Sequence, residues 1–256
     1  MKRIVCLSTF LLVFFVSFNN LLAQDKKLGP EAGKWYETGE NMLKAGNYNG
    51  AVENFDKALA IEKDHRIYYM KGVALKKAGK FDEAISAFET ALNMDKNYAS
   101  AYNALAGTYF VKREYQKAVD NYEIVIGLVK DTRTKNAIKK NLAKVYTSYG
   151  TEAKKDGKTE KAIEYWGKAV ENDNYDAAYL FLAQIYNETG AYDKAIANAE
   201  NALKYRSTVS KGAPYYYMGL AYKNKGDNDK AIEMFNQAKA DPTYKKTVEY
   251  ELTLLK

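Results

Sequence analysis

Cysteine and histidine are almost absent from this sequence, and their scarcity excludes several kinds of chemistry. Cys6 lies near the N-terminus, and His65 is the single histidine among 256 residues. So few residues cannot supply a metal site with several Cys or His ligands, and they offer no basis for a Ser-His-Asp triad. The sequence also lacks the GxxxxGK[ST] loop that binds nucleotide phosphates. We therefore predict a protein that is not an enzyme, with no catalytic residues, no metal-binding residues and no cofactor.

Proline is scarce as well, with three residues in the whole chain. Because proline interrupts helices, its scarcity favours an all-helical protein. The 23 tyrosines fit small helices whose aromatic rings pack between neighbours while the hydroxyls remain at the edge. With 47% hydrophobic residues the chain can bury a large continuous core.

The charge is not concentrated in one sign. Thirty-nine Lys and Arg oppose 32 Asp and Glu, which leaves a formal net charge of +7. Lysines and acids alternate along the helical segments, as is typical of solvated faces. No basic run coincides with a recognition motif, so the sequence predicts no nucleic-acid partner.

The N-terminus has the order of a secretory signal peptide. Met1–Arg3 is positive, Ile4–Phe18 is almost entirely apolar, and a small residue, Ala23, ends the segment. We predict cleavage near Ala23 and a periplasmic or secreted mature protein. An uncleaved anchor is the alternative, because Leu21 stands where a small residue is preferred before cleavage. However, the apolar run would form roughly 22 Å of helix, which is short for a bilayer core of about 30 Å.

One short helical segment recurs along the chain. Phe81–Leu92 (FDEAISAFETAL) has an aromatic residue, Ala84, a second aromatic and a second alanine at helical spacing. Its other copies begin at Tyr48, Tyr115, Thr159, Tyr192 and Asn228. Six copies of one unit indicate a solenoid built of repeats.

Each copy is preceded by a companion helix with its own pattern, such as Tyr68, Gly72 and Leu75. The repeats are spaced 33 residues from Ala51 to Ala84 and 34 from Ala84 onward to the next unit. This pattern resembles the tetratricopeptide repeat (TPR), whose period is 34 residues, and the N-terminal segment makes the chain similar to exported bacterial members. The resemblance implies an all-α, right-handed superhelical solenoid of antiparallel helix pairs. It would contain about six units and a C-terminal capping helix.

The predicted organisation covers the whole chain. It consists of a signal peptide at 1–23, a linker at 24–31, and a TPR solenoid at 32–256. The units are predicted at about 32–64, 65–98, 99–131, 132–175, 176–211 and 212–242, followed by the cap at 243–256.

The fourth and fifth units depart from the pattern. Ala118 and Ala162 are 44 residues apart, so the segment Val129–Asn141 contains about ten extra residues. We expect a first helix that is longer by two to three turns, capped by Asp131 or the next residue, and protruding from the stack. It contains the basic residues Arg133, Lys135, Lys139, Lys140 and Lys144. They could form a docking surface for an acidic partner or simply a solvated helix face. In the fifth unit Ala199 replaces an aromatic residue, and a polar loop, Arg206–Lys211, adds two residues.

In the TPR family the first helices line a concave groove that binds extended peptides or partner helices. The resemblance places in that groove Tyr36, Glu40, Tyr69, Val73, Asn103, Gly107, Thr147, Thr151, Leu180, Gln184, Tyr216 and Leu220. Among these, the predicted protein-binding residues are Tyr36, Tyr69, Asn103, Thr147, Gln184 and Tyr216. For each tyrosine, ordinary packing between repeats is the alternative. Arg66 and Lys76 lie nearby, but no asparagine matches the family's clamp for a C-terminal carboxylate.

Two functions remain open at this point. The first is an exported scaffold that binds an extended peptide or another protein of the cell envelope in its groove. The alternative is a structural protein anchored in the membrane by its N-terminus, which contacts acidic envelope components through the basic inserted helix. The membrane is predicted to be a partner only if the N-terminal segment is not cleaved.

Overall fold

The computed structural model describes residues 27–255, and within this range it contains thirteen α-helices and no strand. The helices are α1 Pro30–Lys44, α2 Tyr48–Ile61, α3 His65–Lys77, α4 Phe81–Met94, α5 Ala99–Val111, α6 Tyr115–Leu128, α7 Thr132–Lys155, α8 Thr159–Asn172, α9 Asp176–Glu188, α10 Tyr192–Lys204, α11 Gly212–Lys225, α12 Asn228–Lys239 and α13 Lys245–Thr253. The predicted signal peptide at 1–23 lies outside the described residues. Helix α1 begins inside the predicted linker, because proline is well suited to the first position of a helix.

Successive helices form six hairpins, from α1 with α2 to α11 with α12, and each hairpin packs on the next. Helix α13 packs against α12 at the C-terminal end, where the sequence predicts a cap. The prediction of an all-α solenoid is confirmed. A single hairpin cannot cover its own apolar faces, so each unit depends on its neighbours for burial.

Glycines in the first helices let the paired helices approach closely. A Cβ atom added at Gly72 would lie 2.6 Å from the ring of Phe88, which is closer than packed atoms come. The same overlap would arise between the corresponding residues of other units, namely Gly39 with Phe55, Gly150 with Trp166, and Gly219 with Phe235. The small residue of one helix therefore makes room for the large residue of the other.

In the fifth unit the missing aromatic residue is replaced by a side chain from the next unit. Ala199 is fully buried and packs with Ala183 and with Met218 of α11. The space left by the small Ala199 is thus filled by the neighbouring repeat.

The polar loop of the fifth unit is organised by one buried carboxylate. Asp176, at the start of α9, has no exposed surface. It accepts hydrogen bonds from the backbone N–H groups of Ser207 at 2.6 Å and Val209 at 3.0 Å, and also from the N–H and hydroxyl of Thr208. Because the donors come from residues more than thirty positions later, Asp176 ties the two ends of the unit together.

Helix α7 contains the extra residues of the fourth unit. It has 24 residues, whereas the first helices of the other units have 13 to 15. Asp131 caps it as predicted, and its side chain accepts from the N–H of Thr134 at 2.6 Å. Ile138 and Leu142 are buried in the main hydrophobic cluster, so the added turns pack on the neighbouring repeat along one face.

Within residues 27–255, no helix combines the length and hydrophobicity needed to cross a membrane.

Candidate functional site

A cavity of about 520 Å³ opens where helices of the second, third and fourth units meet, and we call it the central cavity. This volume is within the range of about 300–1,000 Å³ that is usual for ligand sites. Its lining residues are Tyr69, Val73, Lys76, Lys77, Phe81, Asn103, Ala104, Gly107, Val111, Tyr122 and Asn141. The central cavity therefore brings together four of the groove positions placed by the resemblance, two from α3 and two from α5.

Tyr69 packs against two aromatic rings in the wall of this cavity. Its ring lies 5.9 Å from that of Phe88 and 5.2 Å from that of Tyr98, measured between centroids. Burial raises the pKa of Tyr69, so its hydroxyl stays protonated and remains a hydrogen-bond donor at neutral pH. The ring serves both packing and the cavity surface, whereas Asn103 of α5 is exposed and free of core packing.

Lys76 and Tyr122 converge on Gly107. A Cβ atom built at Gly107 would lie 2.8 Å from Nζ of Lys76 and 3.7 Å from the Tyr122 hydroxyl. Because glycine has no side chain, both polar groups reach the cavity from opposite helices. Burial, and then the charge of Lys77, lower the pKa of Lys76. Among the described residues no carboxylate lies within 4.0 Å of this ammonium group.

The lengthened helix also contributes to the central cavity. Asn141 of α7 lies in its lining, six residues before the position that the repeat pattern places in the groove. The repeat pattern did not place Asn141 in the groove, because the extra turns of α7 have no counterpart in other units. The extension is therefore part of the groove wall as well as an exposed helix end.

A second cavity, of about 500 Å³, adjoins the first, and we call it the adjacent cavity. It contains the predicted positions Thr147 and Thr151, together with Phe110, Val111, Arg113, Tyr115, Ser148, Glu152, Tyr175, Ala177 and Phe181. Thr147 is a weaker candidate for ligand contact, since it is 6% exposed and its hydroxyl donates to the carbonyl of Ala143 at 2.7 Å. Four of the nine remaining lining residues are aromatic.

Arg113 of the adjacent cavity has an unusual backbone. Its φ is +61°, whereas the residue at the same turn in the other five units is glycine, as at Gly79 with φ of +79°. The left-handed conformation costs an L-residue roughly 1–2 kcal/mol. The guanidinium lies 3.4 Å from the carboxylate of Glu152 at the cavity. A comparison of the turns in the sequence would have singled out this arginine.

The other predicted groove residues lie outside both cavities. The ring of Tyr36 lies 5.8 Å from that of Phe55, and burial together with the nearby Glu40 carboxylate raises the pKa of Tyr36. Gln184 donates to Glu188 on its own helix at 3.0 Å. The ring of Tyr216 lies 5.0 Å from that of Tyr244, which belongs to the C-terminal cap. The structure thus assigns intramolecular contacts to these three side chains.

The basic residues of the extension form a separate surface. Four of them are exposed and Lys135 is half-buried. Elsewhere lysines form ion pairs between helices, as Lys71 does with Asp56 at 2.6 Å. Within residues 27–255, none of Arg133, Lys135, Lys139, Lys140 and Lys144 forms such a pair. In the part of the chain that the structure describes, no group of three or more His, Cys, Asp or Glu side chains is placed to hold a metal ion.

Solved structures with the same architecture include YrrB and MamA. YrrB, described as a TPR protein with an unusual peptide-binding site, is 22% identical, with a TM-score of 0.52, over 79% of this chain and 99% of YrrB. MamA is 23% identical, with a TM-score of 0.52, over 70% of this chain and 98% of MamA. MamA from Desulfovibrio magneticus RS-1 is 22% identical, with a TM-score of 0.50, over 70% and 94% of the two chains. At these identities the likeness concerns the fold alone.

A comparison with curated protein sequences finds no match. Family models described as tetratricopeptide repeat match residues 69–128, 150–208 and 213–240, which together make up more than half of the chain. Proteins of this kind are scaffolds that bind other proteins or peptides. The repeats, the helical hairpins and these matches lead to one conclusion: the chain belongs to the tetratricopeptide repeat family.

Proposed function

We propose that this protein is an exported scaffold that binds an extended segment of another envelope protein along its concave groove. The observation that carries the proposal is the continuity of the two cavities. Val111 lines both of them, so one surface extends from α3 across α5 and α7 to α9. A peptide in extended conformation covers about 3.3 Å per residue, and such a surface could contact several of its side chains in succession.

The chemistry of the lining supports an extended peptide as the ligand. Tyrosine and phenylalanine rings offer flat apolar faces, while Asn103 and Asn141 can each donate and accept hydrogen bonds to a peptide backbone. Peptide binding by YrrB, which has the same fold, is consistent with this use of the groove. The groove residues are thus proposed to include Tyr69, Asn103 and Asn141.

Blocking the central cavity should abolish partner capture. Asn103→Trp places a large ring at the mouth of the cavity without disturbing the core, because Asn103 is exposed. We expect loss of the proteins retained from an envelope extract, measured by affinity capture and quantitative mass spectrometry. Asn93→Trp is the matched control, since Asn93 is also an exposed helical asparagine but lies on α4 and lines neither cavity. If both variants retain the same proteins as the unmodified chain, the groove is not the binding surface.

Export is the second part of the proposal, and it rests on the order of charged, apolar and small residues at the N-terminus. When the full chain is expressed in a secreting bacterium, we expect the mature protein to begin at Gln24. Intact-mass measurement and N-terminal sequencing of the periplasmic fraction would show this start. Recovery of the chain with Met1–Ala23 still attached in the membrane fraction would instead support the anchored alternative.

That alternative has one structural observation in its favour. The basic side chains of the α7 extension have no acidic partners among the described residues, so they are available to an acidic envelope component. In this case the N-terminal segment would hold the protein at the membrane, and the extension would face acidic lipid or glycan. The mature N-terminus separates the two proposals, because removal of the first 23 residues eliminates the anchor.

A further inference from the structure

We propose that Lys76 is the specificity-determining residue of the groove and that it selects a peptide bearing an aspartate or glutamate side chain at the central cavity. This inference rests on the proposed function, because it names the chemistry of the ligand for the same groove. The observation behind it is a half-buried ammonium group that faces a cavity and has no carboxylate within 4.0 Å among the described residues.

The surroundings of Lys76 favour an incoming anion. Its ammonium group is already partly removed from water, so a ligand carboxylate would restore interactions that burial has weakened. The Tyr122 hydroxyl lies on the other side of the same gap and lines the cavity, where it can donate a second hydrogen bond. Gly107 leaves the gap open, since a Cβ atom at this position would come within 2.8 Å of the Lys76 Nζ.

Helix α7, which also lines the central cavity, has a basic residue close to it. Lys144 is exposed, has no ion pair among the described residues, and follows Asn141 by three positions, which places both on one face of α7. The charged residues that line the central cavity are Lys76 and Lys77, whereas Glu152 lies beside Arg113 in the adjacent cavity and Glu40 lies beside Tyr36. The middle of the groove is therefore basic, and it complements an acidic segment.

The position of the cavity favours a side-chain carboxylate over a chain terminus. The central cavity lies between the second and fourth units, with further units on both sides. A peptide extended along the groove passes through this point, so an internal residue occupies it. We therefore infer that an aspartate or glutamate within the bound segment contacts Lys76.

Selection from a library of random 12-residue peptides tests the inference without knowledge of the natural partner. The peptides are displayed by fusion through their C-terminus, so the only ligand carboxylates are side chains. We expect peptides selected by the unmodified chain to be enriched in Asp or Glu at one fixed position relative to their apolar residues. The enrichment should disappear with Lys76→Met, which preserves the aliphatic stem, and it should persist with Lys76→Arg.

Lys96→Met is the control for a general loss of charge, because Lys96 is exposed in a loop and lines neither the central nor the adjacent cavity. It should select the same acidic peptides as the unmodified chain. For one selected peptide, exchange of its Glu for Gln should weaken binding to the unmodified chain about 10-fold. The same exchange should change binding to the Lys76→Met variant less than about twofold, as measured by fluorescence anisotropy.

The outcomes separate this inference from the proposed function. Selected peptides without enrichment in acids, or with enrichment that survives Lys76→Met, would overturn the role of Lys76 and leave groove binding intact. If the unmodified chain selects peptides only from a second library with free C-termini, the ligand group is the C-terminal carboxylate, and the choice of a side-chain carboxylate is overturned. If the unmodified chain selects no peptide from either library, the proposed groove function fails, and the inference fails with it.

Discussion

Replacement of Asp176 by alanine is expected to lower the free energy of unfolding by about 2–3 kcal/mol. The carboxylate has no exposed surface and accepts from the backbone N–H groups of Ser207, Thr208 and Val209 in the polar loop. Hydrogen bonds to a charged group contribute more than neutral ones, and their removal leaves the loop donors without their partner. The loss should appear in urea denaturation followed by circular dichroism at neutral pH.

The same contacts make this part of the stability dependent on pH. Burial would raise the pKa of Asp176, but the N–H groups of Thr208, Ser207 and Val209 outweigh it and lower the pKa from 3.8 to about 2. A lowered carboxyl pKa contributes stability that is present above the unfolded value of 3.8 and is lost as pH falls toward 2. The difference in stability between the unmodified chain and Asp176→Ala should therefore shrink between pH 4 and pH 2.

Asp229→Ala is the matched control for Asp176, because Asp229 also lies in the first turn of a helix but is exposed. It should cost less than about 1 kcal/mol, the usual contribution of a carboxylate at a helix N-terminus. Equal losses for the two alanine variants, or a constant difference across the acid range, would show that Asp176 does not organise the loop.

Trp166→Ala is expected to have the largest effect, a loss of about 3–5 kcal/mol. Trp166 is 1% exposed, fills the space left by Gly150, and packs at 5.2 Å from the ring of Phe181 in the following unit. Its indole N–H donates to the carbonyl of Thr147 at 3.1 Å. The substitution would leave a cavity at the junction of the fourth and fifth units.

Because each repeat is stabilised mainly by its neighbours, weakening this junction should also reduce cooperativity. We expect denaturation of Trp166→Ala to show two transitions, one for the units before the junction and one for those after it. Trp35→Ala is the control, since Trp35 is only half-buried and is the other tryptophan of the chain. A single transition with a loss similar to that of Trp35→Ala would contradict the central role of Trp166.

Much of the fold could be predicted because its determinants are local. Small residues such as Gly72 and large ones such as Phe88 recur at helical spacing, and this spacing decides which face of each helix is buried. The cap at Asp131 and the extra length of α7 could be predicted for the same reason, because both features depend on residues that are close together in the sequence. The groove positions in α3 and α5 likewise follow from periodicity within one helix.

The candidate site was only partly predictable. Thr147, placed in the groove by the resemblance, is buried in the structure, whereas Asn141 and Tyr122 line the central cavity although the repeat pattern did not place them in the groove. The packing of Tyr216 against Tyr244 of the cap depends on a side chain from outside its own unit. Such relations do not repeat from unit to unit, so periodicity has no information about them.

By itself the sequence determined the class of the protein, which is a row of helical hairpins in tandem. Apolar residues that recur every three to four positions decide which face of each helix is buried, so this face can be predicted without knowledge of distant parts of the chain. Tertiary structure alone decided that Lys76, Tyr122 and Gly107 meet at one cavity and that Asp176 reaches a loop over thirty residues away. The distances between units depend on how the hairpins rotate and stack, and that geometry is a property of the whole solenoid.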